Sequence, residues 1–399
     1  MSTKRIVAVL MALGPFLILT LVGCPLDSGT VRPWTRNYGG QADDAAFAVA
    51  QTADGGYILA GRTDSFGPGE SAAYLVKVNA RGFTQWEHTY GGEGADEAAD
   101  VKQTSDGGYI IVGTTNSFGP GNDSVYLVKT DAQGGIQWEN TYGGGFDDRA
   151  FAVQETRDGG YIFAGVTGSF VASPRMYVGK TDAGGALEWQ NHYGGAGGDR
   201  ASAVQQTRDG GFIIAGQTTS FGPGGRSMYL VKTDSAGALE WETTHGGTGD
   251  DLANSVRQTE DGGYILGGWT ASHGSSDRAA HFVKTDADGA LQWDTSFSGA
   301  GKASANSVRQ TEDGGYIAAG YTEELDERRL SLHLWKTDGH GALQWERMHG
   351  GPGLHASAFD VEQTGDGGYI AAGWLFQEES EDTSMLAVKT NSRGRAPAL

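Results

Sequence analysis

A single cysteine, Cys24, stands in 399 residues, which leaves no intrachain disulfide and no cysteine-ligated zinc cluster. Stability must come from packing and strand pairing. Histidines number nine, and none has metal-site or triad spacing. No His-Glu-x-x-His occurs, and no Gly-x-Ser-x-Gly elbow accompanies an α/β pattern. Catalysis and cofactor binding have no positive support in the residues, so neither is expected. Positive charge is also short: 29 Lys and Arg against 49 Asp and Glu leave a net charge of −20. Such a surface repels phosphate backbones and anionic headgroups, so nucleic acid is not expected as a partner. Proline is scarce (9) and glycine abundant (66), yet together they stay below the share that marks low-complexity chains.

The N-terminus has to be set aside before fold reasoning. Lys4 and Arg5 precede an apolar run from Ile6 to Val22, broken by Gly14-Pro15 and ending in Leu21-Val22-Gly23-Cys24. That ending resembles the bacterial lipobox. The resemblance implies a signal peptide over 1–23, cleavage before Cys24, palmitate-type acylation there, and a lipidated tether over 24–33. An uncleaved membrane anchor is the alternative, and either way the rest of the chain is exported. Without 1–23 the charge becomes −22, because that stretch carries Lys4 and Arg5 and no acid. The membrane link is then the acyl chains and not a basic patch. Pro25 stands where the Asp of inner-membrane retention would be, which favours the outer membrane of the cell envelope.

Self-similarity dominates the remainder. Trp34, Trp86, Trp138, Trp189, Trp241, Trp293 and Trp345 are spaced by 52, 52, 51, 52, 52 and 52 residues. Asp-Gly-Gly begins at Asp54, Asp106, Asp158, Asp209, Asp261, Asp313 and Asp366. A third marker, typically Tyr-Leu-Val-Lys, ends at Lys77, Lys129, Lys180, Lys232, Lys284, Lys336 and Lys389. A period near 50 belongs to propellers. The first full unit holds four candidate strands, 46–52, 56–63, 74–79 and 83–90, with Asp54-Gly55-Gly56 supplying the tight hairpin. Each tryptophan belongs to the outermost strand, where a large ring can fill the widening gap between blades. The chain opens on such a strand, Trp34–Tyr38, and its last unit lacks one. The first strand is therefore expected to complete the last blade and remove the exposed edges. The fold class is all-β: a seven-bladed β-propeller of four antiparallel strands per blade over 34–390, with a tail at 391–399. A monomer is expected.

The run Tyr-Leu-Val-Lys-Thr-Asp, Trp-x3-Tyr-Gly-Gly, Asp-Asp, Asp-Gly-Gly-Tyr-Ile-x-Ala-Gly resembles the bacterial and archaeal β-propeller repeats called SBBP. The resemblance covers 34–390 and implies an exported propeller without assigned catalysis. Strand order also resembles WD40 blades, although the Trp-Asp dipeptide of that family is absent at the expected place. Asp-Gly-Gly differs from the sialidase Asp-box in continuing to Tyr-Ile and is read as a hairpin turn.

Three sets of residues remain as candidates. Asp44, Asp96, Asp148, Asp199 and Asp251 each follow the double glycine by four residues, with Ala303 and His355 in the other two units. They are read either as Asx-type turns or as weak candidates for a hard cation such as Ca2+. After the Ala-Gly of the second strand, units one to four carry Arg62, Thr114, Val166 and Gln217, whereas units five to seven carry Trp269, Tyr321 and Trp374. These rings either fill gaps between blades or form an aromatic binding sector rimmed by Glu323, Glu324 and His355. Phe66, Phe118, Phe170 and Phe221 are read as loop packing, and His245 and His349 as stand-ins for Tyr90. The expected function is a surface-tethered, non-enzymatic binding or scaffold module for a protein or glycan. A polysaccharide-active hydrolase or lyase working from one mouth, and a purely structural envelope component, stand as alternatives.

Overall fold

The computed structural model describes residues 31–170, 172–272, 278–299, 301–324 and 329–399, and Cys24 and the signal region lie outside them. The described chain forms 28 strands in seven four-stranded antiparallel sheets. Blade 1 comprises β2 (Asp44–Gln51), β3 (Tyr57–Thr63), β4 (Ala72–Val78) and β5 (Thr84–Tyr90), within two residues of the expected starts and ends. Blades 2 to 5 repeat this pattern, with first strands Asp96–Gln103, Asp148–Glu155, Asp199–Gln206 and Asp251–Gln258. Blade 6 runs β22 (Ala303–Gln310), β23 (Tyr316–Glu324), β24 (Arg329–Thr337) and β25 (Leu343–His349). Blade 7 joins β26 (Leu354–Gln363), β27 (Tyr369–Gln377) and β28 (Thr383–Thr390) to β1 (Trp34–Tyr38). Trp34 pairs with Lys389 and Tyr38 with Met385, so the N-terminal strand closes the ring.

The three sequence markers form one linked device. Lys77 is 4% exposed and donates to Asp54 of the hairpin turn at 2.9 Å and to the Val78 carbonyl at 3.2 Å. Opposite Lys77 across the sheet stands Trp86, whose ring meets Tyr109 of the next blade at 5.7 Å. All seven tryptophans make this contact, Trp34 with Tyr57 included. The apolar core is accordingly seven clusters, each built from the facing sheets of two neighbouring blades. Tyr90 at the end of the fourth strand donates to the Gly134 carbonyl in the next blade at 2.8 Å. His349 makes the equivalent contact with Gly394 at 3.2 Å, as expected of an aromatic stand-in.

A second closed circuit lies at the end of the first strands. The Ala53 amide donates to Gln103, Ser105 to Glu155, Arg157 to Gln206, Arg208 to Gln258, Glu260 to Gln310, Glu312 to Gln363, and Gly365 back to Gln51. The tail is more than an end: Ala396 and Leu399 pack on the last blade interface, and the Pro397 carbonyl accepts from Thr35.

Every first strand carries a β-bulge, between Ala46 and Ala48 in blade 1 and at the matching place in the others. The extra residue bends the strand and aims one more side chain at the axis. It also explains the repeated Ala-Gly of the second strand. A Cβ on Gly61 would lie 1.8 Å from the Ala45 carbonyl oxygen, so only glycine fits.

Candidate functional site

First strands begin at the upper mouth of the central channel and end at the lower one, where the Asp-Gly-Gly turns lie. The five aspartates open the first strands in blades 1 to 5 and are buried. Asp44 accepts from the Gly40 amide at 2.7 Å and from the Ser65 hydroxyl at 2.8 Å. Asp96, Asp148, Asp199 and Asp251 repeat both bonds with their own glycine and with Ser117, Ser169, Ser220 and Ser272. Gly39 is required here because its φ is +119° and a Cβ would meet Asp44 Oδ2 at 2.1 Å. The aspartates are thus turn ties that lock the loop entering each blade to the loop between its second and third strands. Among the described residues, no group of three or more His, Cys, Asp or Glu is arranged to hold a metal ion. Phe66, Phe118, Phe170 and Phe221 pack within 5.6–6.1 Å of Tyr74, Tyr126, Tyr177 and Tyr229, which is loop packing.

Blades 6 and 7 lack both the aspartate and its serine, and there the hairpins lengthen. β23 and β24 pair as far as Glu324 with Arg329, and in blade 7 β27 and β28 pair as far as Phe376 with Thr383, while β26 runs along β27 to Leu354 with Gln377. Two adjacent hairpins therefore rise above the upper mouth. Glu324 accepts from Ser331 at 2.7 Å and pairs with Arg329. The Ser331 bond first, then Arg329, holds its carboxyl below the ordinary range. Glu323 stands 4.0 Å from Lys302, and His355 lies 3.7 Å from Glu378 with its ring edge-on to Phe376 at 5.6 Å.

The three sector rings occupy one register on blades 5, 6 and 7, and they differ in access. Trp269 is 5% exposed and lies under the Arg278 guanidinium at 4.0 Å, so it offers no open face. Tyr321 and Trp374 are half-buried. Arg62 of blade 1 acts on Glu97 at the start of the next blade. Opposite the three rings the mouth is charged. Arg62 pairs with Asp64 at 2.8 Å, Arg149 donates to Asp123 at 2.7 Å, and Arg200 stacks on Phe151 at 3.9 Å. Burial pushes the Glu97 carboxyl up against the opposing pull of Arg149 and Arg62. The mouth thus has an aromatic half with a raised lip and a charged half.

Below it lies a cavity of about 250 Å3, lined by first-strand residues of all seven blades. The bulged residues Phe47, Phe151, Phe359, Asn254 and Asn306 form one layer, with Phe47 edge-on to Phe359 at 5.3 Å. Beneath it sit Lys102, Arg257, Arg309, Asp360 and Glu362. Sequence reasoning missed this layer. A signal was available: axis-facing positions change from unit to unit inside an otherwise faithful repeat.

No family model matches the chain, and no curated protein matches it. Among solved structures it is similar to Sqt1 from Chaetomium thermophilum, at 13% identity and a TM-score of 0.50 over 87% of this chain and 83% of that one. The WD40 domain of Pan2 from Neurospora crassa is similar at 12% identity and a TM-score of 0.50, covering 92% of this chain and 99% of that one. A protein of unknown function from Dyadobacter fermentans is similar at 11% identity and a TM-score of 0.49, covering 90% and 99%. These likenesses show the fold alone.

Proposed function

We propose that this chain is an exported, lipid-tethered and non-enzymatic propeller that binds a protein or glycan at its upper mouth. The observation that carries the reading is the paired lip. Blades 6 and 7 abandon the Asp–Ser tie and extend their hairpins, Tyr321 and Trp374 stay half-buried on their second strands, Glu323 and Glu324 continue the strand of Tyr321, and His355 pairs with Phe376 on the strand of Trp374. Half-buried rings held by a rigid sheet lose little entropy on contact and suit a sugar face or a partner's anchoring side chain. The rim carboxylates would hydrogen-bond hydroxyls or pair with basic side chains. Trp269 supports the lip from below and makes no contact with the ligand.

The test is a glycan array and a pull-down from envelope extracts with the wild-type chain and Trp374→Ala. The variant should weaken binding by about 2 kcal/mol, as interface anchors do, with little change in Tm. A marked fall in Tm with binding untouched would make Trp374 a filler between blades and sink the proposal.

A further inference from the structure

The lower layer of the channel is lined by charged side chains that take no part in the upper lip. In blades 3, 4 and 7 the axis-facing residue near the strand end accepts an amide of the next blade. Gln206 N donates to Gln154 at 2.7 Å, Gln258 N to Gln205 at 2.7 Å, and Gln51 N to Glu362 at 3.0 Å. In blades 5 and 6 this position holds Arg257 and Arg309, which cannot accept. The matching amides of Gln310 and Gln363 therefore lack the side-chain acceptor that this position supplies in blades 3, 4 and 7. Each guanidinium is fixed by its own strand, Arg257 on the Val256 carbonyl at 2.9 Å and Arg309 on the Val308 carbonyl at 3.1 Å.

The ion pairs of this layer are unevenly shared. Arg309 takes Asp360 at 2.9 Å, and Lys102 takes Asp100 at 2.5 Å. Asp360 is saturated further by Ser307 at 2.7 Å and the Val361 amide at 2.9 Å. Arg257 has no carboxylate at ion-pair distance, and Glu362 has no cation there, among the described residues. Burial penalises both charges more than their neighbours relieve them, although Asp360, Asp100 and Glu362 attract Arg257, and Lys102 and Arg309 attract Glu362. Burial first, then Arg309, pulls Arg257 down to about 10, and burial first, then Asp360, pushes Glu362 up. A bound group of opposite charge would relieve each of them.

We propose that the channel binds a small zwitterion of the α-amino acid class, its carboxylate on Arg257 and the Gln310 amide, its ammonium on Glu362. The apolar part lies against the layer above, where Phe47, Phe151 and Phe359 stand. A cavity of about 250 Å3 has room for several waters, at roughly 10–15 Å3 each, and therefore for a free amino acid.

The experiment titrates the full chain by calorimetry with free amino acids. In parallel it uses propionate, which keeps the carboxylate alone, and ethylamine, which keeps the amine alone. At least one amino acid should bind ten-fold or more tighter than either fragment. Arg257→Gln should lose that binding, and Glu362→Gln should leave amino acid and matched carboxylate equal. If Arg257→Gln does not fold, Arg257→Lys serves, with Tm as the control and a ten-fold loss expected. No binding by any amino acid at millimolar concentration would overturn the proposal, as would undiminished binding in the Arg257 variant. Binding of propionate or ethylamine by the wild type as tight as that of the tightest amino acid would overturn the zwitterion.

Discussion

At the scale of single residues, the pair of a buried Lys and a largely exposed Asp repeated at the hairpins makes the ring acid-sensitive. Burial pushes Asp106 up, but bonds from Thr104, Lys129 and the Gly108 amide outweigh it and hold it at about 2. Asp54 and Asp158 are held at about 2 by the same contacts. An unfolded aspartate titrates near ~3.9, so the unfolded chain takes up these protons first. The contribution is complete above that value and is lost as pH falls towards 2. Urea unfolding across this range should show a steep loss of stability, and Asp106→Asn should make it shallower by one proton. An unchanged slope would remove the pair from the acid response. His333 acts higher on the scale. It is 5% exposed, stacks on Trp335 at 4.0 Å, and bonds the Thr322 hydroxyl at 2.7 Å. Burial first, then His349, lowers it to about 3, so it is neutral at pH 7 and its 3.3 Å approach to Glu346 is no ion pair there. The unfolded imidazole charges near ~6.5, hence stability is full above that pH and declines below it. His333→Gln should lose less stability than wild type between pH 6.5 and 4.

At the scale of elements, β1 is a structural strand, although it sits 345 or more positions in sequence from its partner β28. It brings five residue pairs, the buried Trp34 and Tyr38, and the bond from Tyr38 to Gly82. Removing residues 31–40 exposes the edge of β28 and strips Tyr57 of its ring partner. Losing a large buried ring alone costs about 3–5 kcal/mol. The truncated chain should melt well below wild type in a calorimetric scan and tend to associate through the open edge. An unchanged Tm would show that Trp34–Tyr38 is only a tether. The lengthened hairpins of blades 6 and 7 follow a similar logic of exchange. Where Asp and Ser tie two loops, the second and third strands stop early; where both are gone, pairing runs on.

At the scale of the whole molecule, the ring fixes the side from which the chain enters its first strand. β1 starts opposite Lys389, whose ammonium sits on Asp366 of an Asp-Gly-Gly turn, so the chain enters at the outer edge of the lower face. An acyl anchor at Cys24 would hold that side to the bilayer and turn the aromatic lip outward. Cys24→Ala should move the protein from the membrane to the soluble fraction, or leave it unprocessed, with an unchanged circular dichroism spectrum. Detergent partitioning that persists in the variant would end the lipid-anchor reading.

The sequence by itself determined the blade count, the strand order and the closure by Trp34–Tyr38. Each rests on a local marker repeated at a fixed period, and a hairpin or an edge needs only its own residues. It also placed Phe66 and its equivalents in the loops and His349 in the role of a tyrosine. Tertiary structure alone decided which candidates stand open. Trp269 is covered by Arg278, whereas Tyr321 and Trp374 stay half-buried, and nothing in the shared register separates them. The channel layer was equally beyond reach of periodicity. A bulge turns Phe47 inward, and the neighbours of Arg257 and Glu362 come from blades tens to hundreds of residues away, where only the closed ring sets charge beside charge.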